Sequence, residues 1–224
     1  MGFRSLSQPR VRLAYQVYDQ IMQAIRDGTI SADDRIVQEK LAEEFEISRT
    51  PIREALFRME QEGILTVAGR GGFKIRKIGN AEISELYGTR AAIEGYAARL
   101  LAETGDKKIC ADLRDLIRKE EDLADNSVQA YFEANKAIHR AFVEATNNRY
   151  LLDFFDNIWG RVYSFTLFAT LQNVDMSKSL GDHMALVDAI ETGDGSTAAE
   201  KMIAHIFDGK ELQIEARKST PFQG

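Results

Sequence analysis

The run Arg35-Ile-Val-Gln-Glu-Lys-Leu-Ala-Glu-Glu-Phe-Glu-Ile-Ser-Arg-Thr-Pro-Ile-Arg-Glu-Ala-Leu-Phe-Arg-Met-Glu-Gln-Glu-Gly-Ile-Leu65 decides the fold. It holds two amphipathic segments joined by a tight connector. A short helix is expected from Gln38 to Phe45, with Leu41 and Phe45 facing inward, and Glu46-Ile47 leaves room only for a turn. A second helix starts at Ser48 and stops before Gly63. Ser48 is a good N-cap, because its hydroxyl can accept a bond from an orphan N–H of the first turn. Pro51 falls in that first turn, where a missing N–H does no harm, and Gly63 suits the position just past the end. Ile52, Ala55, Leu56 and Met59 form the inward stripe. Upstream, Leu13, Val17, Ile21 and Ile25 recur every fourth residue, the mark of an amphipathic helix closed by Asp27-Gly28 and a turn at Ser31–Asp34. Downstream the period falls to two. Thr66-Val67, the tip Gly69-Arg-Gly-Gly72, and Phe73 and Ile75 alternating with Lys74 and Arg76 read as a β-hairpin. Three helices followed by a basic hairpin describe a winged helix-turn-helix.

Beyond Ile78-Gly79-Asn80 the pattern is helical throughout. Expected spans are 80–103, 107–124, 128–146, 148–170, 177–192 and 195–216, separated by Gly-, Asn- and Asp-containing breaks. No proline lies between Pro51 and Pro221, as a bundle requires. The expected fold is therefore mainly α: a winged helix-turn-helix over residues 1–78, then an all-α bundle of about six helices over 79–224.

Composition bounds the function. With 224 residues and 44 % hydrophobic content, the chain can bury a sizeable core and is neither collagen-like nor disordered. Its single cysteine, Cys110, excludes an intramolecular disulfide framework and suits a reducing cytoplasm. MGFRSLSQPR has no apolar core of a secretory signal, and no stretch resembles a membrane span, so a cytoplasmic protein without a membrane partner is expected. The net charge of −6 argues against a general nucleic-acid coat. That charge is unevenly divided: residues 1–78 hold 13 Lys+Arg against 11 Asp+Glu, and the remainder holds 16 against 24. A mildly basic module on an acidic body implies two tasks.

On the second helix of the opening run, Arg49 and Arg53 stand one turn apart near the N-terminus, away from the apolar stripe. No acidic residue occurs from Ile47 to Arg53. A recognition helix leads with its N-terminal residues, and arginine there can grip guanine O6/N7 with two donors or bind phosphate. Arg70, between glycines at the hairpin tip, suits a groove contact, and Arg35 can reach phosphate. The alternative is a solvated face neutralised by Glu54. The run from Arg35 to Leu65, above all Ser-Arg-Thr-Pro-Ile-Arg-Glu-Ala-Leu, closely resembles the winged-helix domain of the GntR family of bacterial transcription regulators. The resemblance covers roughly residues 10–78. It implies that Arg35, Ser48, Arg49, Thr50, Arg53 and the wing glycine Gly71 occupy DNA-contacting positions, and that a homodimer reads a short palindrome in double-stranded DNA.

The helical body carries misplaced polar residues. On the helix 128–146, Val128, Phe132, Phe142 and Val143 define an apolar stripe, and Asn135 and His139 interrupt it one turn apart. Such a pair is either an internally hydrogen-bonded core pair or part of a metal site. His183 and His205, the two remaining histidines, lie on two further helices, and neutral imidazoles suit zinc, nickel, cobalt or iron. Arg90 is the other anomaly: Ile83, Leu86, Ala97 and Leu101 define a core face, and Arg90 lies on it. Glu94, one turn on, can pair with it; alternatively Arg90 holds the carboxylate of a small organic acid. Arg161 is a second candidate anchor, with a solvated or dimer-facing role as the alternative.

Residues 80–216 resemble the FCD effector domain of the FadR/VanR branch of GntR regulators. The matching pieces are Glu85–Glu94, Asn135-Lys-Ala-Ile-His139, Asp182–Ile190 and Met202-Ile-Ala-His205. The resemblance implies that Asn135, His139, His183 and His205 hold one divalent transition metal per chain, zinc or nickel foremost, and that Arg90 lines the effector pocket. Asparagine stands at 135 where the family more often has aspartate, a neutral and weaker oxygen donor that bears on metal occupancy. The function expected is a ligand-responsive repressor sensing a small carboxylate effector. A metal-sensing regulator and a helical metal-dependent hydrolase are the alternatives, and no general base or nucleophile arrangement beside the histidines speaks for the hydrolase.

Overall fold

The computed structural model describes residues 9–27, 29–31, 33–69, 71–123, 128–160 and 182–219. The chain divides into two compact units, one running to Lys77 and the other starting at Ile78. That division falls one residue before the expected boundary, because Ile78 packs into the second core.

The first unit contains α1 (Pro9–Arg26), α2 (Gln38–Glu44), α3 (Arg49–Gln61), β1 (Leu65–Val67) and β2 (Phe73–Ile75). Val17, Ile21 and Ile25 of α1 are buried, as are Ile52, Ala55, Leu56 and Met59 of α3, the helix against which α1 packs. Leu13 is 39 % exposed, so the buried stripe of α1 is one turn shorter than its periodicity. Leu41 and Phe45 are only half-buried, and α2 contains no fully buried residue. The α2–α3 turn relies on Glu46 in the left-handed region (φ 53°), and Ile47 N–H reaches back to Ala42 O at 3.1 Å. Ser48 occupies the N-cap of α3 with extended backbone, but its hydroxyl makes no capping bond. At the far end, Ile64 N–H bonds Met59 O and Gly63 N–H bonds Glu60 O, each at 2.8 Å, with Gly63 at φ 72°: a Schellman stop.

The hairpin pairs Leu65 with Ile75 and Val67 with Phe73. Ile36 adds a third rung by exchanging two 2.8 Å hydrogen bonds with Phe73, which ties the segment before α2 to the wing.

The second unit contains α4 (Asn80–Thr104), α5 (Lys107–Glu121), α6 (Val128–Glu144), α7 (Arg149–Gly160), α8 (His183–Glu191) and α9 (Gly195–Ser219). Helix α4 ends at Gly105 (φ 64°), and Asp106 immediately caps α5 by accepting from Lys108 N at 2.8 Å. Helices α4 and α9 run antiparallel in long contact, with Gly195 beside Arg99, Gly95 beside Ile203, and Gly209 beside Tyr87. A Cβ at Gly95 would lie 2.8 Å from Ile203 Cγ1, so glycine is what permits the close approach. Helices α5, α6, α7 and α8 complete a core that includes Ile117, Phe142, Phe155, Trp159 and Leu186.

Gly72 is the most constrained wing residue. Its φ is +94°, and a Cβ there would meet Ile36 O at 2.9 Å, whereas a Cβ at Gly69 would meet nothing within 4 Å. Gly72→Ala is expected to destabilise the winged unit by about 1–3 kcal/mol, and Gly69→Ala to be nearly neutral, in paired urea-unfolding curves.

Candidate functional site

Four helices of the second unit contribute polar side chains to one buried place. Helix α4 supplies Arg90 and Glu94, α6 supplies Asn135 and His139, α8 supplies His183 and α9 supplies His205. Each side chain sits on an apolar stripe, so packing the stripes brings the polar groups together. Arg90, Glu94, Asn135, His139 and His183 are 6, 1, 4, 1 and 0 % exposed.

The three histidines converge. His139 Nε2 lies 3.4 Å from His183 Nε2 and 3.3 Å from His205 Nε2, and ligating nitrogens of all three fall within 4.8 Å of one another. Metal–nitrogen bonds of about 2.0–2.1 Å in tetrahedral arrangement place neighbouring nitrogens roughly 3.3–3.4 Å apart. Two edges of the triad match that spacing. Asn135 Oδ1, one turn before His139, is buried with no hydrogen-bond partner among the described residues. A lone buried acceptor one turn from a histidine of the triad is an unstable arrangement by itself and a suitable one near a divalent cation. The three imidazoles therefore fit a transition metal, and Asn135 offers an oxygen donor one turn before His139 on the same helix.

Behind the triad runs a chain of charge. Arg90 Nε donates to Glu94 Oε1 at 2.9 Å, and Glu94 Oε2 lies 2.5 Å from His139 Nδ1. A carboxylate on the outer nitrogen favours the tautomer protonated there, which presents the Nε2 lone pair to the cluster. Glu121 Oε1, 3.4 Å from His183 Nδ1, stands in the same relation to the second histidine. Trp159 closes the site from α7: its ring stacks 6.0 Å from that of His139 and lies 4.3 Å under the Arg90 guanidinium.

These contacts set the charges. Burial alone would raise the Glu94 carboxyl, but Arg90 and His139 outweigh it and hold it at about 2. Burial lowers His139 to about 4, against the pull of Glu94. Burial, reinforced by the other two imidazoles, lowers His205 to about 2. Both rings are thus neutral at pH 7, the form that binds metal.

Sequence reasoning identified Arg90 and the three histidines, which the structure brings together, and Asn135, which it buries one turn before His139 on α6, and it recognised the Arg90–Glu94 pair as one of two readings. It missed that Glu94 reaches across to His139, and it missed Glu121 and Trp159. The i,i+4 spacing of Arg90 and Glu94 was visible in the chain, but the contact between helices had no local signal. Arg161 lies outside the described residues.

In the first unit, Arg49 and Arg53 both stand exposed at the start of α3. Arg49 Nη1 pairs with Glu39 Oε1 at 3.0 Å, a water-screened contact that leaves 68 % of the arginine side chain exposed. Ser48 is exposed and Thr50 half-buried. Arg35 donates from Nη2 to the Gly71 carbonyl, so it braces the wing. Arg70 lies outside the described residues.

Two expectations follow for the triad. His183→Ala is expected to leave zinc well below stoichiometric after dialysis, read by elemental analysis. The metal-free protein is expected to lose stability as pH falls below about 6.5, where unfolded histidines take up protons that buried His139 and His205 refuse until far lower pH. The slope should approach about 1.4 kcal/mol per pH unit for each histidine, measured by urea unfolding between about pH 7 and 5, and His205→Gln should flatten it.

Comparison with known proteins shows the family of each unit. The sequence matches the family described as FCD domain over residues 85–208, and that described as bacterial regulatory proteins, gntR family, over residues 13–75. It is 26 % identical over 217 residues to the gluconate operon transcriptional repressor of Bacillus licheniformis, spanning 92 % of this chain and 86 % of that one. The fold is shared with a GntR transcriptional regulator from Rhodococcus sp. RHA1, at TM-score 0.68 and 20 % identity over 90 % of this chain and 97 % of that one. The second unit is similar in fold to the Zn2+-bound FCD domain of TM0439, at TM-score 0.51 and 17 % identity over 65 % of this chain and 100 % of that one. No helix among the described residues is long and apolar enough to cross a membrane. The matched families are regulatory rather than enzymatic, and the chain belongs to the GntR family of bacterial transcription regulators, with an FCD domain as its second unit.

Proposed function

We propose that this chain is a cytoplasmic, homodimeric repressor that reads a palindromic operator and responds to a small organic acid bound at a metal in the FCD domain. Arg49 and Arg53, with Ser48 and Thr50, contact the major groove or its phosphates from the start of α3. Arg70 and Gly71 contact DNA from the wing, and Arg35, which also donates to the Gly71 carbonyl, reaches phosphate. Asn135, His139, His183 and His205 hold one zinc or nickel ion, and Arg90 faces the acid, with Arg161 as a second anchor.

The observation that carries this reading is the charge of the donor set. Three imidazoles and an amide oxygen are neutral, and Arg90 and Glu94 cancel each other. A divalent ion held there would have its charge only partly offset by Glu121 behind His183, and an anionic ligand entering as a further ligand would compensate the rest. A carboxylate also meets the remaining donors of Arg90, whose pair with Glu94 uses Nε and Nη2. Acid binding and operator binding are then linked, each altering the affinity of the other.

Fluorescence anisotropy with promoter DNA from the chain's own locus tests the DNA arm. Arg49→Ala and Arg53→Ala are each expected to weaken binding by roughly 10–100-fold with unchanged melting temperature; unchanged affinity rejects the assignment. Titrating zinc with and without candidate acids tests the sensing arm. Zinc alone controlling operator affinity would instead make the ion the signal.

A further inference from the structure

Helix α4 carries an anomaly on its outer side. Gly88 stands in mid-helix and is exposed, and a Cβ built there would meet nothing within 4 Å. Glycine inside a helix is destabilising, and among the described residues no packing contact accounts for this one. Gly95 on the same helix differs, because Ile203 fills its place. The exposed side of α4 around Gly88 runs Glu85, Gly88, Ala92, Tyr96 and Arg99, at intervals of three or four residues, so the five share one face. Tyr96 is 50 % exposed, an aromatic ring with half its surface in water. The face is symmetric about Ala92. Gly88 and Tyr96 lie four residues to either side of it, and Glu85 and Arg99 seven residues to either side. The largest apolar side chain thus mirrors the missing one, and an acid mirrors a base.

We propose that this face joins two copies of the chain, with α4 antiparallel to its counterpart and the two-fold axis passing beside Ala92. This rests on the homodimer proposed above and names its contact. In an antiparallel pair on that axis, each residue meets the one equally far on the other side of Ala92. Tyr96 of one copy enters the hole bounded by Glu85, Gly88, Thr89 and Ala92 of the other, as a knob does between packed helices, and the absence of a side chain at Gly88 leaves room for the ring. The contact is made twice, as an isologous interface requires. Glu85 of each copy then faces Arg99 of the other. Arg99 donates through Nε to its own Glu103 at 2.8 Å while 52 % of its side chain stays exposed, so its Nη donors can take a second carboxylate. A parallel pairing would set Glu85 against Glu85 and Arg99 against Arg99, and would leave the Gly88 holes unfilled. Charge therefore selects the antiparallel register. One helix supplies knob, hole, acid and base, so a second copy is a complete partner.

The test uses the full-length chain in sedimentation equilibrium, where wild type is expected to be a dimer. Gly88→Leu fills the hole at a position where a side chain meets nothing within its own copy. It is expected to keep its helical circular dichroism and to raise the dimer dissociation constant about tenfold or more. Glu85→Arg and Arg99→Glu are each expected to weaken the dimer about threefold or more, and the double variant to recover it. Two residues fourteen positions apart on one helix cannot produce that recovery within a copy. Ala92→Cys sets a thiol beside the axis and is expected to form a disulfide-linked dimer under mild oxidation, unlike the exposed control Lys107→Cys and unlike wild type, whose only cysteine, Cys110, is buried. Unchanged dimerisation in Gly88→Leu, no recovery in the double variant, or no cross-link through Ala92→Cys overturns the proposal; a wild type that is still a dimer then keeps the homodimer reading and places its contact elsewhere. A Gly88→Leu chain that fails to fold also overturns it, by giving Gly88 a role within one copy. A wild type that stays monomeric throughout removes both.

Discussion

A guanidinium and a carboxylate enclosed in a helical core have to cancel each other, and the regulatory unit is organised around that requirement. Arg90 and Glu94 stand one turn apart on α4, both almost completely buried. Removing either partner would leave an uncompensated charge at a cost of about 3–5 kcal/mol. The pair does more than neutralise. Because Glu94 also lies against His139, the helical pitch of α4 sets the orientation of an imidazole on α6, and that imidazole is the one both other histidines face. Trp159 holds the arrangement from a third side by stacking near His139 and underlying Arg90. A local i,i+4 contact therefore becomes the reference point for a four-helix constellation.

The two units use arginine in opposite ways, and burial decides which. Arg90 is enclosed by aromatic faces and a carboxylate, so its position is over-determined. Arg49 keeps most of its surface in water and leans on Glu39 through a contact that solvent screens. A side chain held that weakly can exchange Glu39 for a base edge or phosphate with little loss. Arg35 falls between: its bond to the Gly71 carbonyl and the close approach of Gly72 to Ile36 make it part of the wing's frame.

Much of this was legible in the chain. Helix boundaries followed from capping and breaking residues, so Gly63 and Gly105 mark stops that the backbone confirms with positive φ. Asn135 and Arg90 announced themselves by interrupting apolar stripes. Other features depend on tertiary context that no local pattern records. The outermost turn of the α1 stripe, Leu13, remains exposed. Ser48 is a good capping residue that makes no capping bond. Convergence of His183 and His205 on His139 needs the packing of α8, α9 and α6, and the sequence pointed to it only through family resemblance. Glu121 ends α5 in no distinctive pattern. Gln213 was not singled out, although with Met202 and Ile206 it lies on the buried side of α9, where a polar residue interrupts an apolar stripe as Arg90 does on α4.

The glycine at position 95 has a mechanical consequence. Ile203 fills the space where a side chain would be, so α9 is keyed to α4 like a tooth in a notch. Sliding by one helical turn would drive that isoleucine into a neighbouring Cβ, so the notch opposes longitudinal slip of this pair. Grafting new side chains at positions 90 or 205 would therefore proceed on a fixed ruler. The spacing between the two rows of substituents is conserved by steel-like registry rather than by the substituents themselves, and altered ligand preference can be explored without re-solving how the helices meet.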